Sequence, residues 1–287
     1  MIFYSMEDRL VFYTIFSIYA QRYGVAILAL ALMYNHFHAL IQASSSKDMS
    51  AFIGTVTSTY AMAFNRDAGR KGPLFEKAYG SALKTGDKQI RTCIAYNYNN
   101  AVEKRLFIRA EEDRWNFLAY LGSTHPFSEP IRMEKASRHL KGALNEVNRH
   151  VTDQAYLHYA TIRRLFKPLS NMEREQLLDY TISRYLPVDK DTLLSFYKDY
   201  DSMVIAINSN TGSEYDMKEE FKFDSDRAYT QMLDLVRKSS FADNPHTIVV
   251  ASLDKKWRIA SSLRRQTTAK EYQIERLLHL DLHAAGI

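Results

Sequence analysis

Along the first hundred residues the apolar positions change period several times. In SMEDRLVFYTIFSIYAQRYG, Phe12, Ile15, Phe16, Tyr19 and Tyr23 recur at helical spacing. Ser5 stands where an N-cap belongs, Glu7 and Asp8 follow it, and Gly24 supplies a stop. The apolar run from Val25 to Met33 then has the length and composition of a strand. Residues 36–42 read as a second strand, and Tyr34-Asn35 makes a tight turn between them, so the two form a hairpin. Met49, Phe52, Ile53, Val56, Tyr60, Ala63 and Phe64 restore the helical period until the breaker DAGRKGP. Residues 74–84 look extended, and a further helix runs from Asp87, as N-cap, to about Leu106. The predicted order of helix, hairpin, helix, strand and helix is an α+β arrangement with a small antiparallel sheet.

Beyond about Arg109 the pattern is mostly helical. Helices are predicted in EEDRWNFLAYLGS, RMEKASRHLKGALNEVNRHV, LSNMEREQLLDYTISRYL and DKDTLLSFYKDYDSMVIAINS, and from about Ser225 to Ser239. Two more follow, separated near Gln266-Thr267-Thr268. There is no internal repeat and no low-complexity tract. The longest apolar stretch, Val25 to Met33, is less than half of a bilayer span, and no cleavable signal pattern precedes it. Cys93 is the sole cysteine, which excludes an internal disulfide and a Cys-based zinc finger and makes a cytoplasmic protein the default expectation.

Charge changes this picture locally. The net charge of +5 is modest, but Ala61 to Ala110 holds ten basic residues against four acids, an excess of six that surpasses that of the whole chain. A local basic excess suits a polyanion such as nucleic acid, and equally a solvated basic surface.

The candidate chemistry begins with LMYNHFHALI. On a strand, His36 and His38 project from the same side, close enough to grip one ion together, while Phe37 and Ala39 point the opposite way into a core. Such a pair needs a third group and an open position before it can do chemistry. IRTCIAYNYNNAVEKRL offers one, because Tyr96 and Asn100 are four apart on one helix face. Asn100 has a carbonyl oxygen suited to a hard divalent ion, and Tyr96 a phenol that is a poor nucleophile until assisted. By spacing alone Tyr96 and Tyr98 read first as core or surface aromatics of an amphipathic helix, and a zinc-dependent hydrolase built on His36 and His38 and indifferent to Tyr96 is a third possibility.

The order of these boxes resembles a known family. LMYNHFHALI is similar to the histidine box of the single-tyrosine HUH transposases, a group that includes the REP-associated tyrosine transposases. STYAMAFNRDAGRKGPLFEKAYGSALK resembles that family's next segment, and YNYNNAV its tyrosine helix; the likeness covers about residues 2 to 109. Carried over by position, it implies that His36 and His38 hold a metal, that Asn100 completes the coordination and that Tyr96 is the nucleophile. The implied fold is a ferredoxin-like or RRM-like HUH domain, the implied cofactor Mg²⁺ or Mn²⁺, and the implied partner single-stranded or hairpin DNA, with no membrane and with a homodimer among the forms that relatives take. The reaction implied is cutting and rejoining of DNA through a 5′-phosphotyrosine. A relative that binds structured DNA without cleaving it is the alternative.

DNA would lie along Arg66, Arg70, Lys71, Lys77, Arg91, Lys104 and Arg105, with Phe75 and Tyr79 able to stack on bases. Tyr34 and Ala101 replace prolines of the family pattern, Tyr98 is a competing phenol pointing about 200° around the helix from Tyr96, and the family's first strand has no counterpart before Ser5. Residues 1–109 are therefore read as a catalytic domain, 110–240 as a helical region, and 241–287 as a candidate helix-turn-helix. In that last element Lys255, Lys256, Arg258, Arg264, Arg265 and Lys270 are candidate phosphate contacts. His279 and His283, four apart, read as a surface pair rather than a second metal site.

Overall fold

A computed structural model describes residues 1–75, 79–209, 225–239 and 245–280 of the chain. Helix α1 spans Met6–Tyr23 and is closed at both ends as its sequence dictates. The Ser5 side chain accepts from the Asp8 backbone amide, Asp8 accepts from the Ser5 amide in return, and Gly24 takes the left-handed conformation at φ 60° that ends the helix. Strands β1 (Ala26–Leu32) and β2 (Phe37–Gln42) pair antiparallel, with Leu32 opposite Phe37 and Ala31 opposite His38. The amide of Met33 donates to the His36 carbonyl at 3.0 Å and closes the turn through Tyr34 and Asn35. Helix α2 (Ser46–Ala68) starts at a Ser45 cap and ends at Gly69, at φ 65°.

Helix α3 spans Gly86–Glu103, with Thr85 rather than Asp87 at its N-cap. Gly86, at φ 74°, admits the chain two residues earlier than the sequence pattern suggests, and the Gln89 side chain accepts the Thr85 amide at 3.0 Å. Residues 79–84 form no strand. Their side chains are mostly exposed, so pairing them on a sheet edge would bury nothing. Among the described residues the sheet is two-stranded, and the fold is α+β and mostly helical.

Alternation along β2 decides what packs where. Phe37 faces α1, its ring 4.9 Å from Phe12 and 6.3 Å from Phe16. His38, on the opposite face, meets the α3 ring of Tyr96. The hairpin is thus held between α1 and α3, and the Tyr98 hydroxyl of α3 donates to the Leu28 carbonyl of β1 at 3.2 Å.

The segment after α3 departs from its predicted helix. Residues 110–121 form three short 3-10 turns, Ala110–Glu112, Arg114–Asn116 and Leu118–Leu121. The side chains of Asp113 and Asn116 capture the amides of Trp115 (2.9 Å) and Leu118 (3.0 Å), competing with the i→i−4 ladder of a continuous helix. Helices α4 (Arg138–Thr152), α5 (Tyr159–Phe166), α6 (Asn171–Arg184), α7 (Lys190–Leu194) and α8 (Tyr200–Ser209) follow. The expected helix over 189–209 is split into α7 and α8, and α5 has too few residues to show a clear period. The segment after α6 also reaches the sheet: Val188 bridges Ile27 in parallel, and the Asp189 amide donates to the Ile27 carbonyl at 2.8 Å.

Helices α9 (Ser225–Lys238), α10 (His246–Val249), α11 (Leu253–Gln266) and α12 (Glu271–Leu278) complete the described chain. A single buried apolar cluster runs from Met1 to Leu280. One polar clasp fastens α10 inside it. His246, 2% exposed, places Nε2 at 2.7 Å from Asp8 Oδ1 and Nδ1 at 2.7 Å from Asp67 Oδ2. Tyr159 also donates to Asp8, at 2.6 Å, and Arg163 grips both oxygens of Asp67, each at 2.6 Å.

Candidate active site

The hairpin turn delivers the two histidines. Asn35 Oδ1 lies 2.6 Å from His36 Nδ1, and the Nε2 atoms of His36 and His38 are 2.9 Å apart with their rings perpendicular. If the Asn35 oxygen accepts from Nδ1–H of a neutral His36, Nε2 of His36 is left as acceptor for Nε2–H of His38. Burial pushes the His36 imidazole well below its usual range, and His38, Lys104 and Arg276 push the same way. His36 is therefore neutral near pH 7 and has a lone pair to offer.

Helix α3 supplies the other wall. The Tyr96 ring meets the His38 ring edge-on, centroids 5.4 Å apart. Asn100 lies four residues on, so it shares the Tyr96 face, and it is 1% exposed with neither its Oδ1 nor its Nδ2 hydrogen-bonded within the protein. A buried amide left in that state costs about 1–3 kcal/mol, so its position calls for a ligand. Tyr98 points elsewhere. It is bonded to the Leu28 carbonyl, and burial pushes its phenol far above the usual range. Tyr96 is itself only 1% exposed, so a substrate can reach it only if the cover over α3 opens.

These groups fit a divalent ion. Two nitrogens bound side by side at roughly 2.1 Å to one octahedral ion would be about 3.0 Å apart, and His36 and His38 have 2.9 Å. Imidazole nitrogens with one amide oxygen suit a borderline or hard divalent metal and leave positions for substrate oxygens. Among the described residues no group of three or more His, Cys, Asp or Glu could hold a metal. The fit therefore rests on His36, His38 and Asn100 together.

The basic residues divide into several groups. Arg66, Lys71 and Arg105 are exposed. Arg70 is spent on the loop after α2, donating to Asn65 Oδ1 and to the carbonyls of Gly72 and Pro73. Arg91 lies over the Tyr197 ring at 5.2 Å, and Lys104 pairs with the buried Asp226 at 3.1 Å. Phe75 is half-buried against Tyr60, Tyr79 is exposed with its hydroxyl on Ser50, and Lys77 lies outside the described residues.

At the C-terminal end, α11 and α12 are the two helices expected. Lys256, however, is buried and donates to the His279 carbonyl at 3.2 Å, and Arg264 is held by both oxygens of Glu271. Lys255, Arg258, Arg265 and Lys270 are exposed there. His279 does not sit on the surface; it caps α12 with its ring stacked on Tyr4 at 6.3 Å, and its companion His283 lies outside the described residues.

Sequence reading missed Asn35 and Arg276, which act on His36, and Asp226, which pairs with the Lys104 that does so. Asn35 was visible as a turn residue beside a histidine. Asp226 and Arg276 come from helices more than a hundred residues away, and no local pattern announces them.

Residues 2–100, which include His36, His38, Tyr96 and Asn100, match the family model described as "Transposase IS200 like". No curated protein and no solved structure matches the chain. The family match supports a transposase function, and with it DNA binding. No helix among the described residues is long and apolar enough to cross a membrane.

Proposed function

We propose that this protein is a single-tyrosine transposase that cuts and rejoins single-stranded or hairpin DNA. The observation that carries the reading is the meeting of Tyr96 with His38 across the α3–β2 contact, with His36 and the orphaned Asn100 amide around it. Tyr96 Oη attacks a backbone phosphorus, the bond to the 3′ oxygen breaks, and the phenol proton ends on the released 3′-hydroxyl. The downstream fragment stays on Tyr96 through its 5′ phosphate, as a 5′-phosphotyrosine. Attack by a different 3′-hydroxyl reverses the step and restores the phenol, so no nucleotide cofactor is consumed.

His36, His38 and Asn100 would hold a divalent ion, which when bound withdraws charge from a phosphate oxygen. His36 is kept neutral for that task by its burial. The exposed Arg66, Lys71 and Arg105 supply charge along which a strand can lie.

The test is a covalent trap. Full-length protein, hairpin-containing single-stranded DNA and Mn²⁺ should yield an SDS-resistant adduct that Tyr96→Phe abolishes and Tyr98→Phe does not. An adduct that survives Tyr96→Phe would remove the tyrosine assignment. The burial of Tyr96 favours a second reading, a protein that binds structured DNA without cutting it. It predicts a mobility shift with the same DNA and no adduct under any metal.

A further inference from the structure

Beside the candidate site lies a cavity of about 210 Å³ whose walls come from both ends of the chain. The hairpin turn contributes Tyr34, α1 contributes Arg9, the second 3-10 turn contributes Trp115, and α9 contributes Asp234 and Arg237. The guanidinium carbon of Arg9 lies 4.8 Å from the centre of the Tyr34 ring and 5.2 Å from that of Trp115. The Nε of Arg9 is buried and has no hydrogen-bond partner. Arg237 makes one bond, to the Tyr4 carbonyl at 3.2 Å, and its other nitrogen stands 3.9 Å from half-exposed Asp234. At that distance and exposure the pair holds neither side chain firmly.

The cavity therefore offers a flat wall in which the Arg9 guanidinium lies against Tyr34 and Trp115, further guanidinium donors from Arg237, and one carboxylate acceptor. Its volume is below the roughly 300–1,000 Å³ of pockets for drug-sized ligands, so it suits a single ring system. A planar heterocycle with adjacent acceptors on one edge and donors on another satisfies all three features. Among nucleobases that is guanine, whose O6 and N7 take a guanidinium and whose N1–H and amino group take a carboxylate. Position supplies the rest. Tyr34 is two residues from His36, so a strand whose phosphate reaches the histidines carries a neighbouring base past the cavity mouth.

We propose that this cavity binds one unstacked guanine of a DNA strand next to the bond that is cut. The identity of the strand rests on the proposed transposase chemistry; the base chemistry of the cavity does not. Thr230, Asp234 and Arg237 of its lining belong to α9, outside the segment that matches the transposase family.

The chain has two tryptophans, so Trp257→Phe leaves Trp115 as its sole fluorescent reporter, inside the cavity. An oligothymidine with one central dG should quench that fluorescence and bind about tenfold more tightly than oligothymidine alone. Arg237→Gln and Asp234→Asn should each weaken the dG oligonucleotide about tenfold; both side chains are half-exposed, so the melting temperature should hold. Absence of quenching, equal affinity for both oligonucleotides, or indifference to both substitutions would overturn the proposal. Free dGMP binding as tightly as the oligonucleotide would overturn the strand assignment in favour of a nucleotide site. The Tyr96 adduct is scored on the same samples. An adduct without quenching leaves the transposase reading standing and removes the cavity's role, whereas dG-dependent quenching without an adduct does the reverse.

Discussion

Replacing His246 with glutamine is expected to remove most of the pH dependence of stability between pH 6.5 and 9.5. Both ring nitrogens of His246 face carboxylate oxygens at 2.7 Å, and a neutral imidazole has only one proton to share. The clasp therefore requires the imidazolium. Burial alone would lower the affinity of His246 for its proton, but the bonds to Asp67 and Asp8 outweigh it and raise the group from 6.5 to about 9. A folded value above the unfolded one means that the stabilisation is complete below about pH 6.5 and is lost as pH climbs through 9.

At roughly 1.4 kcal/mol per tenfold change in proton affinity, the full effect is about 3 kcal/mol. Asp67, held down to about 2, describes the same contact from its other end and is not added to that figure. At 2–4 °C per kcal/mol for a chain somewhat smaller than this one, the loss corresponds to a fall in Tm of roughly 5–10 °C across the window. The assay is thermal unfolding at half-unit pH steps for wild type and His246→Gln. The variant should be less stable at pH 6.5 and nearly flat above it, so that the two curves converge near pH 10. Parallel curves, or an imidazole titration of His246 below pH 7 by NMR, would refute the imidazolium clasp.

Three further outcomes test the site and its frame. Asn100→Leu should leave the metal-free protein as stable as wild type or about 1 kcal/mol more so, because an unpaired buried amide is replaced by an apolar group. The same variant should lose any Mn²⁺-induced rise in Tm, and a metal response equal to wild type would exclude Asn100 as a ligand. His38→Ala should abolish Mn²⁺ binding measured by calorimetry while leaving Tyr96 in place on α3. Asn116→Ala should cost about 2–4 kcal/mol in urea unfolding, since its side chain serves the carbonyls of Tyr98 and Ala110 and the Leu118 amide at once. A loss under 1 kcal/mol would show that the 3-10 segment holds itself without Asn116.

The parts of the molecule legible from sequence are those whose cause is local. The Ser5 and Ser45 caps, the Gly24 and Gly69 stops, and the hairpin around Tyr34-Asn35 depend on neighbours a few residues away. Phe37 and His38 facing opposite ways follows from strand alternation alone, and that one rule puts the histidine pair against α3. The failures share a different cause. The helix expected over residues 111–123 gives way because Asp113 and Asn116 side chains outcompete the backbone ladder, a contest that a propensity count does not resolve. Of the strand expected over residues 74–84, the stretch 79–84 lacks anything to bury.

Long-range polar contacts form a third class. Asp8 and His246 are 238 positions apart, and Asp226 and Arg276 reach the surroundings of His36 from helices that carry no motif for doing so. The groups proposed to hold the metal and to act as nucleophile lie in the locally legible N-terminal hundred residues, whereas Lys104 at the end of α3 is pinned by Asp226 from α9, and α10 is pinned by the His246 clasp. The long-range contacts that fasten α9 and α10 are thus encoded separately from the proposed chemistry. Substitutions in the clasp should change the stability of the helical frame without changing how His36, His38 and Asn100 bind an ion, and hydrogen exchange along α10 together with Mn²⁺ affinity measures the two effects independently.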